Sequence, residues 1–238
     1  MKILALDSTP KIATAALCED DRVLAECSVD NGLTHSELLL PMVETLLAQT
    51  ATEVGDIGLF ACTVGPGSFT GVRIGVAVIK GLAFGRGIPC VGVSTPEALA
   101  ENLAPLPGLY CPVMDARRGQ VYTALFRHTG DGLSRLMPDT ACSLEELLGD
   151  LRRLHADEEI RFCGDGTPLL AGADLSGLRV MAVPPLLLSQ NAASVARVAL
   201  RAYQNGQYTD DRSLTPVYLR LPQAERERLE RLASNNSN

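Results

Sequence analysis

Positive charge is scarce in this chain. Its 238 residues carry 21 Lys and Arg against 28 Asp and Glu, a net charge of −7 with a pI near 5.0. Nonspecific affinity for nucleic acid comes largely from neutralising phosphates, so a chain of this balance is not expected to grip RNA without a basic partner. Long apolar runs are missing too: none approaches the roughly 20 residues of a membrane span. No cleavable leader precedes the strand-like pattern at Lys2 to Asp7, so a cytoplasmic protein with no membrane contact is expected. The seven cysteines are odd in number, scattered and without metal-ligand spacing, which excludes a zinc finger and argues against a disulfide scaffold.

Familiar catalytic signatures are absent as well. Gly71 is followed by Val72, where a Walker motif needs Lys-Ser or Lys-Thr. Gly67-Ser68-Phe69 is not the Gly-x-Ser-x-Gly elbow of a hydrolase. Four residues after His35 stands Leu39, so the pair of helical histidines that would share a metal is incomplete; no metal site is expected, and His35 is expected to pack or hydrogen-bond locally.

What is present is an order of elements that occurs twice. Ile3 to Leu6, Ile12 to Leu17 and Val23 to Val29 read as an antiparallel meander with turns at Ser8-Thr9-Pro10 and Glu19-Asp20-Asp21. Thr34 with Glu37 forms a capping box for a helix to about Leu47, in which Pro41 should cause a kink. A strand from Ile57 to Val64 leads through the glycine turn Gly65 to Gly71 into a helix from Val72 to Phe84. Tyr110 to Met114, Gln120 to Phe126 and Leu133 to Thr140 repeat the three strands; Ser143 with Glu146 caps a helix to Leu154, Ile160 to Cys163 is a strand closed by Gly164-Asp165-Gly166-Thr167, and Asn191 to Tyr203 is the last long helix. The repeat predicts a duplicated α/β unit with a boundary near Pro105 to Gly108: residues 1–104, residues 105–221 and a polar tail at 222–238.

Strands that end in an acid and glycine turns that lead into helices suit a nucleotide cleft, because backbone N–H groups can meet phosphates and an acid can hold Mg²⁺ through water. Asp7, Gly65, Gly67 and Ser68 are the candidates, with Gly164 and Gly166 across the cleft. Equally, such glycines serve tight turns alone. The helix pair of the first half has more apolar surface than one core needs. Leu38, Leu39, Leu40, Met42, Val43, Leu46 and Leu47 fill an arc of roughly 200°, while the second helix has one stripe through Gly71, Gly75, Val78 and Leu82 and another through Val72, Val76, Ile79 and Ala83. Either both are buried within the chain or they meet another subunit.

Leu4-Ala5-Leu6-Asp7-Ser8-Thr9, His35-Ser36-Glu37 with Leu39-Leu40-Pro41, and above all Gly65-Pro66-Gly67-Ser68-Phe69-Thr70-Gly71-Val72-Arg73-Ile74-Gly75 resemble the bacterial TsaB (YeaZ) family. Lys80-Gly81-Leu82-Ala83, Asp115-Ala116-Arg117-Arg118 with Val121-Tyr122, and Pro216-Val217-Tyr218-Leu219-Arg220 extend the resemblance over nearly the whole chain up to Arg220. It implies an actin-like, sugar-kinase-like (ASKHA) fold of two ribonuclease-H-like halves. It also implies a non-catalytic subunit in forming threonylcarbamoyladenosine at position 37 of tRNAs that read codons beginning with A. The implied partners are a TsaD-like catalytic subunit that holds a metal through a His-x-x-x-His motif and a TsaE-like ATPase, with a homodimer when the chain is alone and tRNA reached only through the complex. The sequence leaves open whether this chain binds nucleotide; ATP and Mg²⁺ are expected at the assembled complex. The expected interface is Leu38, Leu39, Met42, Val43 and Leu46 of the first helix with Val72, Val76, Ile79 and Ala83 of the second. The rival is an ATP-dependent small-molecule kinase or ATPase of the same fold, which needs an acid in an intact cleft to activate an acceptor hydroxyl.

Overall fold

The structure, a computed structural model, describes residues 1–104, 106–129 and 132–220. The expected polar tail at 222–238, and Pro105 at the expected boundary, lie outside these residues. The first sheet contains β1 (Lys2–Asp7), β2 (Ala13–Glu19) and β3 (Arg22–Val29) as an antiparallel meander. After α1 (His35–Gln49), β4 (Ile57–Gly65) lies parallel to β1; after α2 (Phe69–Ala83), β5 (Cys90–Ser94) lies parallel to β4. The short α3 (Thr95–Glu101) then leads to the second sheet. There β6 (Leu109–Asp115), β7 (Gln120–Thr129) and β8 (Gly132–Ser143) form a second meander, α4 (Leu144–His155) comes next, and β9 (Glu159–Cys163) and β10 (Arg179–Val180) add in parallel. The chain then forms α5 (Ala192–Gln204). The strand orders are β3-β2-β1-β4-β5 and, read in the same sense, β8-β7-β6-β9-β10, so the sheet is duplicated strand for strand.

Alternation decides which side of each central strand meets which helix. Leu4 and Leu6 face the core under α1 and α2, whereas Ile3 and Ala5 face α5. Covered on both faces, β1 is apolar from Ile3 to Leu6. In the second sheet Leu109, Cys111 and Val113 face α4, and Tyr110 and Met114 face α3. At the start of α4, Ser143 Oγ accepts from the Glu146 N–H (3.1 Å) and the Glu146 carboxylate accepts from the Ser143 N–H (2.8 Å). The Glu37 carboxylate likewise accepts from the Thr34 N–H (3.1 Å) before α1. Bonds from the Thr34 hydroxyl and N–H to Glu37, and from the Ser143 N–H and hydroxyl to Glu146, hold both carboxyls below the usual glutamate range.

The structure departs from the sequence reading at four places. First, α2 begins at Phe69 rather than Val72, because Ser68 caps it, so Gly71 belongs to the helix and not to the turn. Second, α1 runs on to Gln49, past the expected end near Leu47; Pro41 within it is exposed, and Thr45 Oγ1 donates to the Pro41 carbonyl at 2.8 Å. Third, the second glycine turn leads only to a 3₁₀ turn at Thr167–Gly172 and then to β10, neither of which the periodicity indicates.

Fourth, the two sequence halves exchange helices. Leu99, Ala100 and Leu103, in and just after α3, pack on the second sheet, while Val195, Ala199 and Leu200 of α5 pack on the first. The boundary near residue 105 therefore divides the chain but not the cores. Between the exchanged helices lies an ion cluster: Glu101, 5% exposed, accepts from Arg201 at 3.0 and 2.5 Å and from Arg197 at 3.3 Å.

Candidate functional site

A cleft of about 860 Å³ separates the two halves. Its first wall comprises Thr9 to Lys11 between β1 and β2, Thr34 and His35 at the start of α1, and Gly67 and Ser68 before α2; Asp115 to Arg117 and Asp165 form the opposite wall, and Val217 to Arg220 close one end.

Asp7 does not line the cleft. It is 0% exposed, and its Oδ1 accepts from the Thr9 N–H (2.8 Å), the Thr9 hydroxyl (2.6 Å) and the Thr63 hydroxyl (2.7 Å), while Oδ2 is buried without a partner. Burial pushes its pKa up, against the opposing pull of these hydrogen bonds and of His35. This carboxyl clamps the β1–β2 turn. Gly65, at φ +112°, is closed off by the Val217 carbonyl, 2.5 Å from where a Cβ would sit. A Cβ on Gly67 would come within 2.8 Å of Thr9 Cβ. Ser68 Oγ accepts from the Gly71 N–H at 3.2 Å as the cap of α2, and the Ser68 N–H donates to the Thr9 carbonyl at 3.0 Å.

The four nucleotide candidates thus split. Gly67 and Ser68 reach the cleft; Asp7 and Gly65 are structural. Asp7 is not placed to hold a Mg²⁺–nucleotide in the cleft, because neither of its oxygens reaches it. Lys80 is also engaged elsewhere, donating to the Arg212 and Leu214 carbonyls at 2.9 and 3.0 Å. Across the cleft, Gly164 and Gly166 have the same packing role: a Cβ on either would run into Val113 of β6. Asp165 accepts from the Asp115 N–H at 3.3 Å, and burial, with Asp115 close by, pushes its pKa up. Asp115 in turn accepts from the Arg117 N–H (2.7 Å) and guanidinium (3.2 Å), holding Arg117 at φ +66°. Local packing or bonding is expected of His35; instead its Nε2 reaches across to the β1–β2 turn, 25 residues away, and donates to the Pro10 carbonyl at 2.7 Å.

The expected interface residues require correction. Leu39 is 0% exposed, Met42 5%, Val43 1%, Leu46 2%, Val72 1%, Val76 4%, Ile79 0% and Ala83 1%. These side chains are the chain's own core, packed with Leu6, Leu17 and Phe60, because one face of the first sheet needs a full apolar cover. Leu38 alone of that set keeps a partly exposed side chain. The apolar surface left outside is a different stripe: Leu40, 45% exposed, with half-buried Leu38 and Leu47 on α1, and exposed Ala77 and Gly81 with half-buried Ile74, Val78 and Leu82 on α2. Helical spacing separates the stripes of α2 but carries no mark of which one faces inward. Sequence reasoning also assigned no role to Tyr218 and Arg220, although Arg73 and Lys80, the cations of α2, sit seven residues apart as if meeting one extended segment.

Similarity to known proteins runs over nearly all of these elements. The sequence profile described as TsaD, tRNA N6-adenosine threonylcarbamoyltransferase, matches residues 32–225. The tRNA threonylcarbamoyladenosine biosynthesis protein TsaB of Bacillus subtilis is 34% identical over 227 residues, 94% of this chain and 96% of its own. The Escherichia coli protein of the same description is 32% identical over 225 residues, 92% of this chain and 95% of its own. Among solved structures, an uncharacterized Pseudomonas aeruginosa protein with similarity to peptidase YeaZ superposes with a TM-score of 0.76 at 25% identity, covering 92% of this chain and 99% of that one. YeaZ from the same organism superposes at 0.74 and 24% identity, over the same shares. A likeness that runs nearly end to end in sequence, joined to a shared fold, leads to one conclusion: the chain belongs to the TsaB (YeaZ) family.

Proposed function

We propose that this protein works in the formation of threonylcarbamoyladenosine in tRNA as a non-catalytic subunit that supports a TsaD-type enzyme. The observation that carries the reading is the match to TsaB proteins over 94% of this chain and 96% of the relative. The residues explain why the chain leaves chemistry to its partner. Leu39 stands where a second histidine would complete a metal pair, and it is 0% exposed inside the core. His35 is turned to Pro10, and Asp7 is locked under the β1–β2 turn. Among the described residues no group of three or more His, Cys, Asp or Glu could hold a metal ion. These features also weigh against the kinase or ATPase alternative, which needs an acid free to take a proton from an acceptor.

The partner surface in this reading is the outer stripe of α1 and α2 rather than the buried one. Ala77 and Gly81 lie one helical turn apart with open space above Gly81, so a facing helix can approach closely there. The same stripe serves a homodimer when the chain is alone. A TsaE-like ATPase joins the complex, tRNA is reached through it, modification falls at position 37, and the site of action is the cytoplasm. The duplicated sheets fit the ribonuclease-H-like halves of the actin-like fold. The test is reconstitution with a TsaD-like and a TsaE-like protein, ATP, unmodified tRNA and an activated threonylcarbamoyl donor, reading modified nucleoside by mass spectrometry. Modification that needs this chain is expected; equal modification without it defeats the proposal, as does ATP turnover by the chain alone above about 1 s⁻¹, an ordinary enzyme rate.

A further inference from the structure

We propose that residues 209–220 form a strap that couples α2 to the β6–β7 turn of the second half, so that a partner seated on α2 alters the opposite wall of the cleft. The cleft consequence rests on the interface reading above; the coupling does not.

The strap is fixed to the first half at each step. Thr209 pairs with Cys90 on the free edge of β5, with N–H to carbonyl distances of 2.8 Å in both directions. Leu214 is 3% exposed within the α1–α2 core. The Val217 N–H donates to the Val64 carbonyl at 2.7 Å. Tyr218 stacks on Phe69 with ring centroids 4.6 Å apart, and its hydroxyl accepts from Arg73 Nε at 2.8 Å. Together with Lys80, which holds two strap carbonyls, Arg73 ties the strap to two points of α2 about 10.5 Å apart along the axis. The last link is to the other half: Arg220 Nη1 donates to the Ala116 carbonyl at 2.9 Å.

Ala116 heads a turn that is itself tightly determined. Its N–H donates to the Gln120 carbonyl at 3.0 Å, and Arg117 and Arg118 sit at φ +66° and +56°. A turn holding two non-glycine residues in the left-handed region has few ways to shift, so a pull on Ala116 moves the wall that carries Asp115 and Arg117 as a unit. Both cations of α2 and Arg220 thus have one shared purpose, which the repeat pattern of the sequence does not supply.

Hydrogen exchange read by mass spectrometry on the full chain, alone and with a TsaD-like protein, tests the coupling. Tyr218→Phe removes an acceptor from Arg73 and nothing from the second half; it is expected to speed exchange of residues 114–120 roughly fivefold or more, the lower end of ordinary coupling between sites. Arg220→Met should speed exchange at the start of α2 comparably, with circular dichroism unchanged for both. With the partner, the wild type is expected to gain protection at α2 and at 114–120, and Arg220→Met at α2 only. Wild-type exchange of the distant segment in both free variants overturns the coupling, and so does partner protection of 114–120 that survives Arg220→Met. A partner that leaves α2 unprotected defeats the interface reading, while the free-chain comparison still decides the strap.

Discussion

The two halves share one sheet design and diverge after its fourth strand. Beyond β4 comes the 15-residue α2, whose stretch has no proline and whose inner stripe seals the first core. Beyond β9 the Thr167–Gly172 turn has proline at its start and glycine at its end, and it stops after one short 3₁₀ segment. The outer surfaces differ accordingly. In the second half α4 shows solvent Glu145, Glu146, Asp150 and Arg153 beside Leu154, whereas the α1–α2 pair shows Leu40, Ala77 and Gly81 among Glu37, Glu44 and Arg73. Duplication supplies a frame, and its two halves cover the outer face differently, one with α4 alone and the other with the pair α1 and α2.

The largest effect that could break this comparison comes from charging the inner stripe. Leu39→Glu or Val76→Arg is expected to cost about 5 kcal/mol or more and abolish cooperative folding, because an unpaired charge enters a dry core. A folded, monomeric, inactive variant by circular dichroism and sedimentation would restore these residues to an interface. Next is a contrast between two glycines of α2. A Cβ on Gly71 overlaps the Ser8 carbonyl, so Gly71→Ala should destabilise by about 3 kcal/mol. Gly81 has nothing within 4 Å, and Gly81→Ala should stabilise by about 0.5 to 1 kcal/mol in urea melts.

The junction of the halves is sharpened by Glu101→Gln. Its loss should cost about 2 to 3 kcal/mol, at or below the usual range for a broken buried pair because Arg197 and Arg201 reach water. Separate unfolding of the two halves in that variant, seen as two calorimetric transitions, would mark the exchanged helices as the link between them.

Asp7 has a smaller effect, visible in its pH dependence. Since its pKa is raised in the fold, the folded state binds the extra proton, and this group's contribution to stability falls as pH rises from 3.8 toward its folded value. Asp7→Asn should remove that fall and leave the neutral-pH melting temperature equal or higher; a lower one would mean the charged form is needed. The smallest stability effect belongs to Ala77→Arg, within about 0.5 kcal/mol of wild type. It is nevertheless expected to block pairing with a TsaD-like protein in sedimentation. Normal pairing would remove the outer stripe as the docking face.

Local rules determined much of this protein. Both meanders and the Ser143–Glu146 box come from turn chemistry, capping and alternation, which act over a few residues and leave a mark in sequence. The family resemblance is likewise written in short motifs. Three things were decided only by tertiary structure. Which stripe of α2 faces inward depends on where the sheet lies, since Val76 and Val78 look alike until Phe60 and Leu17 are placed beneath one of them. The exchange of α3 and α5 depends on which sheet face remains uncovered, a matter settled far along the chain. Asp7 is read as a ligand from its position after a strand, yet Thr9 and Thr63 surround it, and Thr63 is brought there by the pairing of β1 with β4. Contacts between residues distant in sequence carry no periodic signal, so the fold alone discloses them.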